Sequence, residues 1–302
     1  MQQRHNNKTT SLQQSRKTLF KEIYKTLVYS DIFDYPLTAD QIFQYLGVKI
    51  SGKKLLSLLG QFPYVIVKNK IYYFLPKRKN IIRKRIHREK ISRTKVAKAT
   101  TIARFLGFLP TIRFIGISGS VAMLNAEKNG DTDLFFISSA GSVWLTRFIV
   151  YVLLFSLGVL RRNKKRISES LCVNMFIDER SLSFTPSKRN VYIAHEIVQI
   201  RPLVNKGRIY DQFLYDNKWI KNYFPNFLLP KNVKRKKSLS FMSTVSLLLF
   251  PAEYLIRQLQ LWYMKQKKTC EVTTPTVIAF HPINYEYIIL KAFEQRKTKY
   301  GI

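Results

Sequence analysis

Two carboxylates separated by one residue follow a glycine-serine pair in the middle of the chain. Asp131 lies twelve positions after Gly119, with Ser120 and Asp133 completing the set. Side chains two positions apart on an extended segment project from the same face, so we expect Asp131 and Asp133 to point together. Paired carboxylates that face substrate phosphates are the ligands that Mg²⁺ prefers. These residue types therefore indicate a site for a metal and a phosphate, with Asp131 and Asp133 as its catalytic and metal-binding residues.

The residues around this set predict the elements that position it. Apolar residues 111–117 predict a strand, 121–126 the start of a helix, and 134–137 a second strand after a turn at 129–130. A glycine at a strand-to-helix turn lets the backbone approach a phosphate closely, and a helix N-terminus offers unpaired N–H groups. The pattern therefore predicts Gly119 and Ser120 as nucleotide-binding residues.

This order of elements resembles the polymerase-β-type nucleotidyltransferase superfamily, in which Gly-Ser follows an apolar strand and Asp-x-Asp opens the next one. The resemblance implies transfer of a nucleotidyl group from a nucleoside triphosphate to a hydroxyl or phosphate acceptor, with Mg²⁺ or Mn²⁺. The wider chain resembles nucleotidyltransferase-domain proteins that carry an N-terminal winged helix. The segments that carry this wider resemblance are 31–38, 119–123, 195–197 and 217–220.

Members of the superfamily often carry a third carboxylate on the following strand. Here we expect that strand at 171–177, with Asn174 as its central polar residue. An asparagine supplies neither charge nor a base. His195 and Glu196 are further accessory candidates, and a histidine can act as a base at neutral pH. The alternative is that both lie on a helix packed beside the sheet. Turnover therefore stays open, and a non-catalytic nucleic-acid-binding regulator that senses a nucleotide is the competing hypothesis.

The order of elements before this region is typical of a winged helix-turn-helix. Three short helical patterns and then two β-rich runs fill residues 16–76. Lys49, Lys53 and Lys54 lie near the start of the third helix, where such folds contact nucleic acid. The alternative is a winged helix that contacts protein.

The whole chain therefore predicts an α+β protein. The predicted division is a flexible tail at 1–15, the winged helix at 16–76, a basic linker helix at 77–100, a nucleotidyltransferase domain with a mixed sheet at 101–200, and a mostly helical region at 201–302.

Positive charge dominates the composition. The chain has 52 Lys and Arg against 18 Asp and Glu, a net charge of +34. A field of this sign favours nucleic acid, nucleoside triphosphates or an anionic membrane surface as partners. Residues 77–98 alone hold eleven Lys and Arg and one acid. That run is interpreted either as a phosphate contact for nucleic acid or as a solvated helix face.

Two apolar runs raise the question of a membrane. The first, 143–160, is as long as the shortest membrane spans, and the second covers 241–264. The first run lies between two predicted strands of one sheet, which favours a buried crossover helix covered by the second run. The alternative is a membrane-peripheral transferase. Two cysteines far apart, Cys172 and Cys270, and a polar N-terminus favour a cytoplasmic location.

Overall fold

The chain folds as an α+β protein, which confirms the predicted fold class. The computed structural model describes residues 2–61, 67–69, 71–160, 170–231, 233, 242–265, 272–279 and 284–302, without the side chains of 2–15, 67–69, 174, 242–250 and 272. Two compact units emerge from the backbone contacts. The first comprises Met1–His87, Trp219–Leu228 and Glu286–Ile302, and the second Arg88–Lys218 and Leu229–Tyr285. The five-part division drawn from the sequence stays a prediction.

The first unit combines helices with a small antiparallel sheet. Its elements are α1 (Gln2–Asp31), α2 (Ala39–Tyr45), α3 (Gly52–Leu59), β1 (Val67–Asn69), β2 (Tyr72–Phe74) and α10 (Tyr285–Tyr300). Helix α2 begins with the predicted capping box, in which Thr38 and Gln41 each accept from the other's backbone N–H. Helix α3 begins where the Ser51 hydroxyl accepts from the Lys54 N–H. Side-chain oxygens thus satisfy the first N–H groups of both helices.

Ion pairs fix the loop after α1. Asp31 is buried and receives the Arg78 guanidinium at 2.6 Å, and Arg296 of α10 also contacts it. Asp34 pairs with Lys84 at 2.7 Å and with Arg78. Burial alone would raise the pKa of Asp34, but the hydrogen bonds from Lys84 and Arg78 outweigh it and hold the pKa below its ordinary value. These two carboxylates therefore have a structural role.

The second unit is built on a six-stranded mixed sheet. Its strands are β3 (Ile112–Ile117), β4 (Thr132–Ser138), β5 (Leu171–Asp178), β6 (Arg201–Asn205), β7 (Val272–Thr273) and β8 (Val277–Ala279). The spatial order is β6-β3-β4-β5-β8-β7, and β4 pairs with β5 in parallel while the other neighbours are antiparallel. Strands β6, β7 and β8 come from the region expected to be mostly helical. They are only two to five residues long, which is too short for a clear alternating pattern.

Helices cover this sheet and connect its strands. They are α4 (Ile81–Leu106), α5 (Gly119–Ala122), α6 (Val143–Ser156), α7 (Val191–Gln199), α8 (Ile209–Asp216) and α9 (Met242–Lys265), with short 3₁₀ turns at Pro186–Lys188 and Lys206–Arg208. The first seven residues of α4 and most of a third 3₁₀ turn, Lys218–Asn222, belong to the first unit. Helix α4 contains much of the predicted basic linker helix. Its C-terminal part, after the basic run of 77–98, buries Ala99, Ala103 and Leu106 in the core of the sheet.

Helix α6 makes the crossover that two parallel strands require. It buries Trp144, Val150 and Leu154 completely, and it packs against α9. The Glu253 carboxylate of α9 accepts hydrogen bonds from the backbone N–H groups of Trp144 at 2.9 Å and Leu145 at 2.7 Å. Glu253, which lies 108 residues after Leu145 in the sequence, therefore provides the acceptors for backbone N–H groups in the first turn of α6. In the part of the chain that is described, no helix is long and apolar enough to cross a bilayer.

Replacing Glu253 should weaken the second unit. Glu253→Ala removes both acceptors and leaves two N–H groups of α6 buried without them, so we expect the free energy of unfolding to fall by about 2 kcal/mol or more. Urea unfolding followed by circular dichroism measures this. Gln258→Ala, an exposed position on the same helix, should change the value by less than about 0.5 kcal/mol. Equal losses in the two variants would show that Glu253 does not hold α6.

Candidate functional site

The turn after β3 lies directly against the carboxylate strand. Gly119 has φ +62°, in the left-handed region that glycine adopts without steric cost. A Cβ at this position would lie 3.0 Å from Oδ2 of Asp133. The backbone N–H of Ser118 donates to the Asp133 carbonyl at 3.0 Å. Both the backbone angle and the space therefore require a glycine where the turn meets Asp133.

The helix after this turn is shorter than the sequence predicts. Helix α5 is one turn of four residues, Gly119–Ala122, and Leu124 then adopts a φ of +56°. The Asn125 N–H donates to the Ser120 carbonyl at 2.8 Å and closes the turn. A helix macrodipole is a sum over aligned peptide units, so a single turn contributes little of it. The turn can therefore bind an anion only through individual backbone N–H groups and the exposed Ser120 hydroxyl.

Basic residues of α4 hold the loop that leads to Asp131. Arg88 pairs with Glu127 at 2.6 Å, and Lys95 donates to the Gly130 carbonyl. The Ser92 hydroxyl accepts from the Ala126 N–H at 2.9 Å. The basic run therefore contributes to the position of the carboxylates, a role that the sequence did not indicate.

Three metal-ligating side chains meet at the start of β4 and β5. One ligand atom each from Asp131, Asp133 and Cys172 lies within 4.8 Å of the other two, and all three residues are half-buried. Asp133 and Cys172 are direct partners in the parallel register, which places their side chains on the same face. Among the described residues, no other group of three His, Cys, Asp or Glu side chains meets this criterion.

Cys172 was missed by the sequence analysis, which placed Asn174 beside the aspartates. Val173 pairs with Leu134 and Met175 with Phe135, so Asn174 is the extra residue of a β-bulge. Its side chain lies outside the described residues, and its accessory role stays a prediction. One signal was available: Asp133 and Cys172 are each the second residue of their strands, and parallel strands that start level bring such positions together.

Asp178, the last residue of β5, and Glu179 after it lie at the end of the strand opposite the candidate site. Asp178 pairs in register with Ser138, and its carboxylate accepts from the Gly141 N–H at 2.7 Å. Glu179 accepts from the Ala140 N–H at 3.1 Å. Both carboxylates stabilise the loop after β4, so they are structural and not part of the candidate site.

His195 and Glu196 lie on α7, which packs against α5. Burial lowers the pKa of His195 to about 3, and its Nδ1 lies 3.1 Å from the Gln199 amide nitrogen. His195 is therefore neutral at neutral pH. Glu196 keeps part of its surface exposed, but its apolar surroundings raise its pKa to about 7 by desolvation. Neither belongs to the metal-ligating group, and α7 is a helix packed beside the sheet, as the alternative interpretation expected.

The lysines proposed for nucleic-acid contact all reach solvent. Lys53 and Lys54 are exposed in the first turn of α3, and Lys49 is exposed just before it. The first turn of α3 contains no acidic residue. These three positions therefore leave a positive surface at the start of α3.

Comparisons with known proteins add little to this geometry. No protein-family model matches the sequence, and neither does any curated protein. Among solved structures, the "Crystal structure of the toxin-antitoxin with AMP-PNP" is similar over 55% of this chain and 97% of that chain, at 15% identity and a TM-score of 0.24. At that TM-score, the likeness carries no inference about this chain.

Proposed function

We propose that this protein is a metal-dependent nucleotidyltransferase that moves a nucleotidyl group from a nucleoside triphosphate to an acceptor hydroxyl or phosphate. One observation carries the proposal: the Gly119 turn, with φ +62°, lies against the Asp133 carboxylate beside Asp131. A backbone turn open to phosphate and a pair of carboxylates within reach of one cation are the two parts that such a transfer needs. The Gly-Ser and Asp-x-Asp spacing supports the same activity by resemblance.

The donor set fits Mg²⁺ or Mn²⁺. Asp131 and Asp133 would hold the ion through hard carboxylate oxygens, with the triphosphate as a further ligand. The bound ion supplies positive charge that offsets the phosphates and the charge that develops during transfer. Gly119 admits the phosphate chain close to the backbone, and the Ser120 hydroxyl donates to a phosphate oxygen. Positioning and charge neutralisation then account for the catalysis.

Cys172 takes the place beside Asp133 where a third carboxylate would supply charge. A thiol is a softer ligand than a carboxylate and suits Mg²⁺ poorly. The two aspartates therefore carry the proposal for the metal. This substitution also favours the second candidate, a nucleic-acid-binding regulator that binds a nucleotide without turnover.

The carboxylate pair should be essential for turnover. Asp131→Asn with Asp133→Asn removes both charged ligands, so we expect transfer from labelled triphosphates, with Mg²⁺ and cell extract as acceptor source, to fall at least about 100-fold. Asp211→Asn, which neutralises an acid in a surface ion pair with Arg208 outside the site, should keep full transfer. Undiminished transfer by the double variant would overturn the assignment. Tight triphosphate binding by the unmodified protein without any labelled product would favour the regulator.

We further propose that the first unit contains a winged helix. The arrangement of α1, α2 and α3 before the β1–β2 hairpin supports it. So does a bridge in which Leu37 and Tyr73 exchange backbone hydrogen bonds of 3.0 and 2.7 Å, because it adds a third extended segment to the hairpin. Lys49, Lys53 and Lys54 would contact nucleic-acid phosphates from α3. The exposed Arg83 at the start of α4, in the same unit, would add to these phosphate contacts.

Neutralising these lysines should weaken nucleic-acid binding in a salt-dependent way. Lys49→Ala, Lys53→Ala and Lys54→Ala together should reduce the slope of log affinity against log salt by about three, because each lysine would neutralise one phosphate. Fluorescence anisotropy with DNA and RNA duplexes measures the slope. A control triple of exposed lysines in the same unit, Lys17→Ala, Lys21→Ala and Lys299→Ala, changes the net charge equally. Identical slopes for the two triples would assign the binding to net charge alone.

A further inference from the structure

We propose that the second unit binds an anionic lipid surface through the outer side of α6 and α9. This surface, the α6–α9 face, consists of Phe148, Tyr151 and Phe155 of α6 and Leu255, Leu259 and Trp262 of α9. Lipid binding by these two helices would follow from their geometry and charge and does not depend on the proposed transferase activity.

The face follows helical periodicity on both helices. Its residues on α6 are spaced three and four apart, and those on α9 four and three apart, so each set forms one stripe. The opposite sides of the two helices pack inside the protein. Trp144 and Leu154 are buried in the core, and Gln260 of α9 donates to the Trp144 carbonyl at 2.9 Å. Among the described residues, the core of the sheet includes none of the six side chains of the face.

The exposure of the face is large for apolar side chains. Trp262 is 72% exposed, Leu255 66% and Phe155 49%. Clustered exposed apolar residues on adjoining helices mark an interaction surface, whereas single ones are ordinary. Tryptophan and tyrosine, which the face presents at Trp262 and Tyr151, are also the residues that favour the boundary between lipid and water. The composition of the face thus fits the headgroup region of a bilayer.

The charge around the face selects an anionic partner. Helices α6 and α9 together contain one acidic residue, Glu253, which is buried and engaged with the start of α6. Lys265 is exposed at the end of α9, whereas Arg147 and Arg257 point inward, where they contact Gln260 and the Trp144 ring. In the sequence, residues 161–166 after α6 and 231–237 before α9 each contain five Lys or Arg. A second copy of the chain would bring the same positive charge and be repelled, while an anionic lipid surface would be attracted.

The binding is interfacial. Helix α6 has 14 residues, a length of about 21 Å, which is less than the roughly 30 Å of a bilayer core. Apolar side chains on one side of the helix pair suit burial at the boundary of headgroups and acyl chains. Lipid association would therefore bring the second unit to the membrane surface without threading the chain through it.

Vesicle binding of the full chain tests the proposal. Sedimentation with phosphatidylglycerol–phosphatidylcholine vesicles should retain the protein, and phosphatidylcholine vesicles alone should not. The chain has three tryptophans, of which Trp144 and Trp219 are buried, so a blue shift of emission on binding reports Trp262. Phe155→Ser with Trp262→Ser should lower the partition coefficient at least about tenfold. Trp262→Phe should keep binding and lose the shift.

The control is Phe108→Ser, which changes an 86% exposed aromatic residue away from both helices. It should leave vesicle binding unchanged. Four results would overturn the proposal: no binding to anionic vesicles, equal losses for Phe108→Ser and the double variant, binding without a shift of Trp262 emission, or a dimer in sedimentation equilibrium that Phe155→Ser with Trp262→Ser dissociates. The third result assigns the binding to charge alone, and the fourth makes the face a contact between copies of this chain.

Discussion

The parallel pairing of β4 with β5 is the constraint on which the rest of the second unit depends. It sets Asp133 beside Cys172 and so builds the metal-ligating group at the strand starts. Parallel neighbours need a crossover, and here α6 provides it as a mostly buried helix. Buried N–H groups at the start of α6 need acceptors, and Glu253 of α9 supplies them. The candidate site and the α6–α9 pair are therefore consequences of one strand arrangement.

A second constraint places the backbone of the Gly119 turn against the carboxylates. The turn is fixed from β4 through the hydrogen bond of Ser118, and the loop before Asp131 is fixed from α4 through Arg88 and Lys95. One side of the site is thus held by the strand that carries Asp133, and the other by a helix outside the site. Preorganisation of this kind lets a site act by positioning and charge, without reorganising when a substrate binds.

The sequence predicted the parts of this structure that depend on local patterns. The strand before Gly119, the strand that Asp131 and Asp133 open, the capping box at Thr38 and the crossover helix all follow from periodicity or turn chemistry. It did not predict what depends on long-range register. The bulge at Asn174 follows the Asp133–Cys172 pair, so the residue beside the aspartates is decided by the level at which the two strands start. The sequence also did not predict the hydrogen bonds from the start of α6 to Glu253 or the strands after residue 200. Both depend on tertiary contacts between distant parts of the chain.

Asp131 and Asp133 are proposed to hold a divalent cation beside the Gly119 turn. Electron paramagnetic resonance of Mn²⁺ titrated into the full chain, with a nucleoside triphosphate present, tests it without requiring turnover. We predict that Mn²⁺ binds and that its affinity falls at least about tenfold, or roughly 1.4 kcal/mol, when both aspartates become asparagines. Unchanged Mn²⁺ affinity in that variant would contradict it.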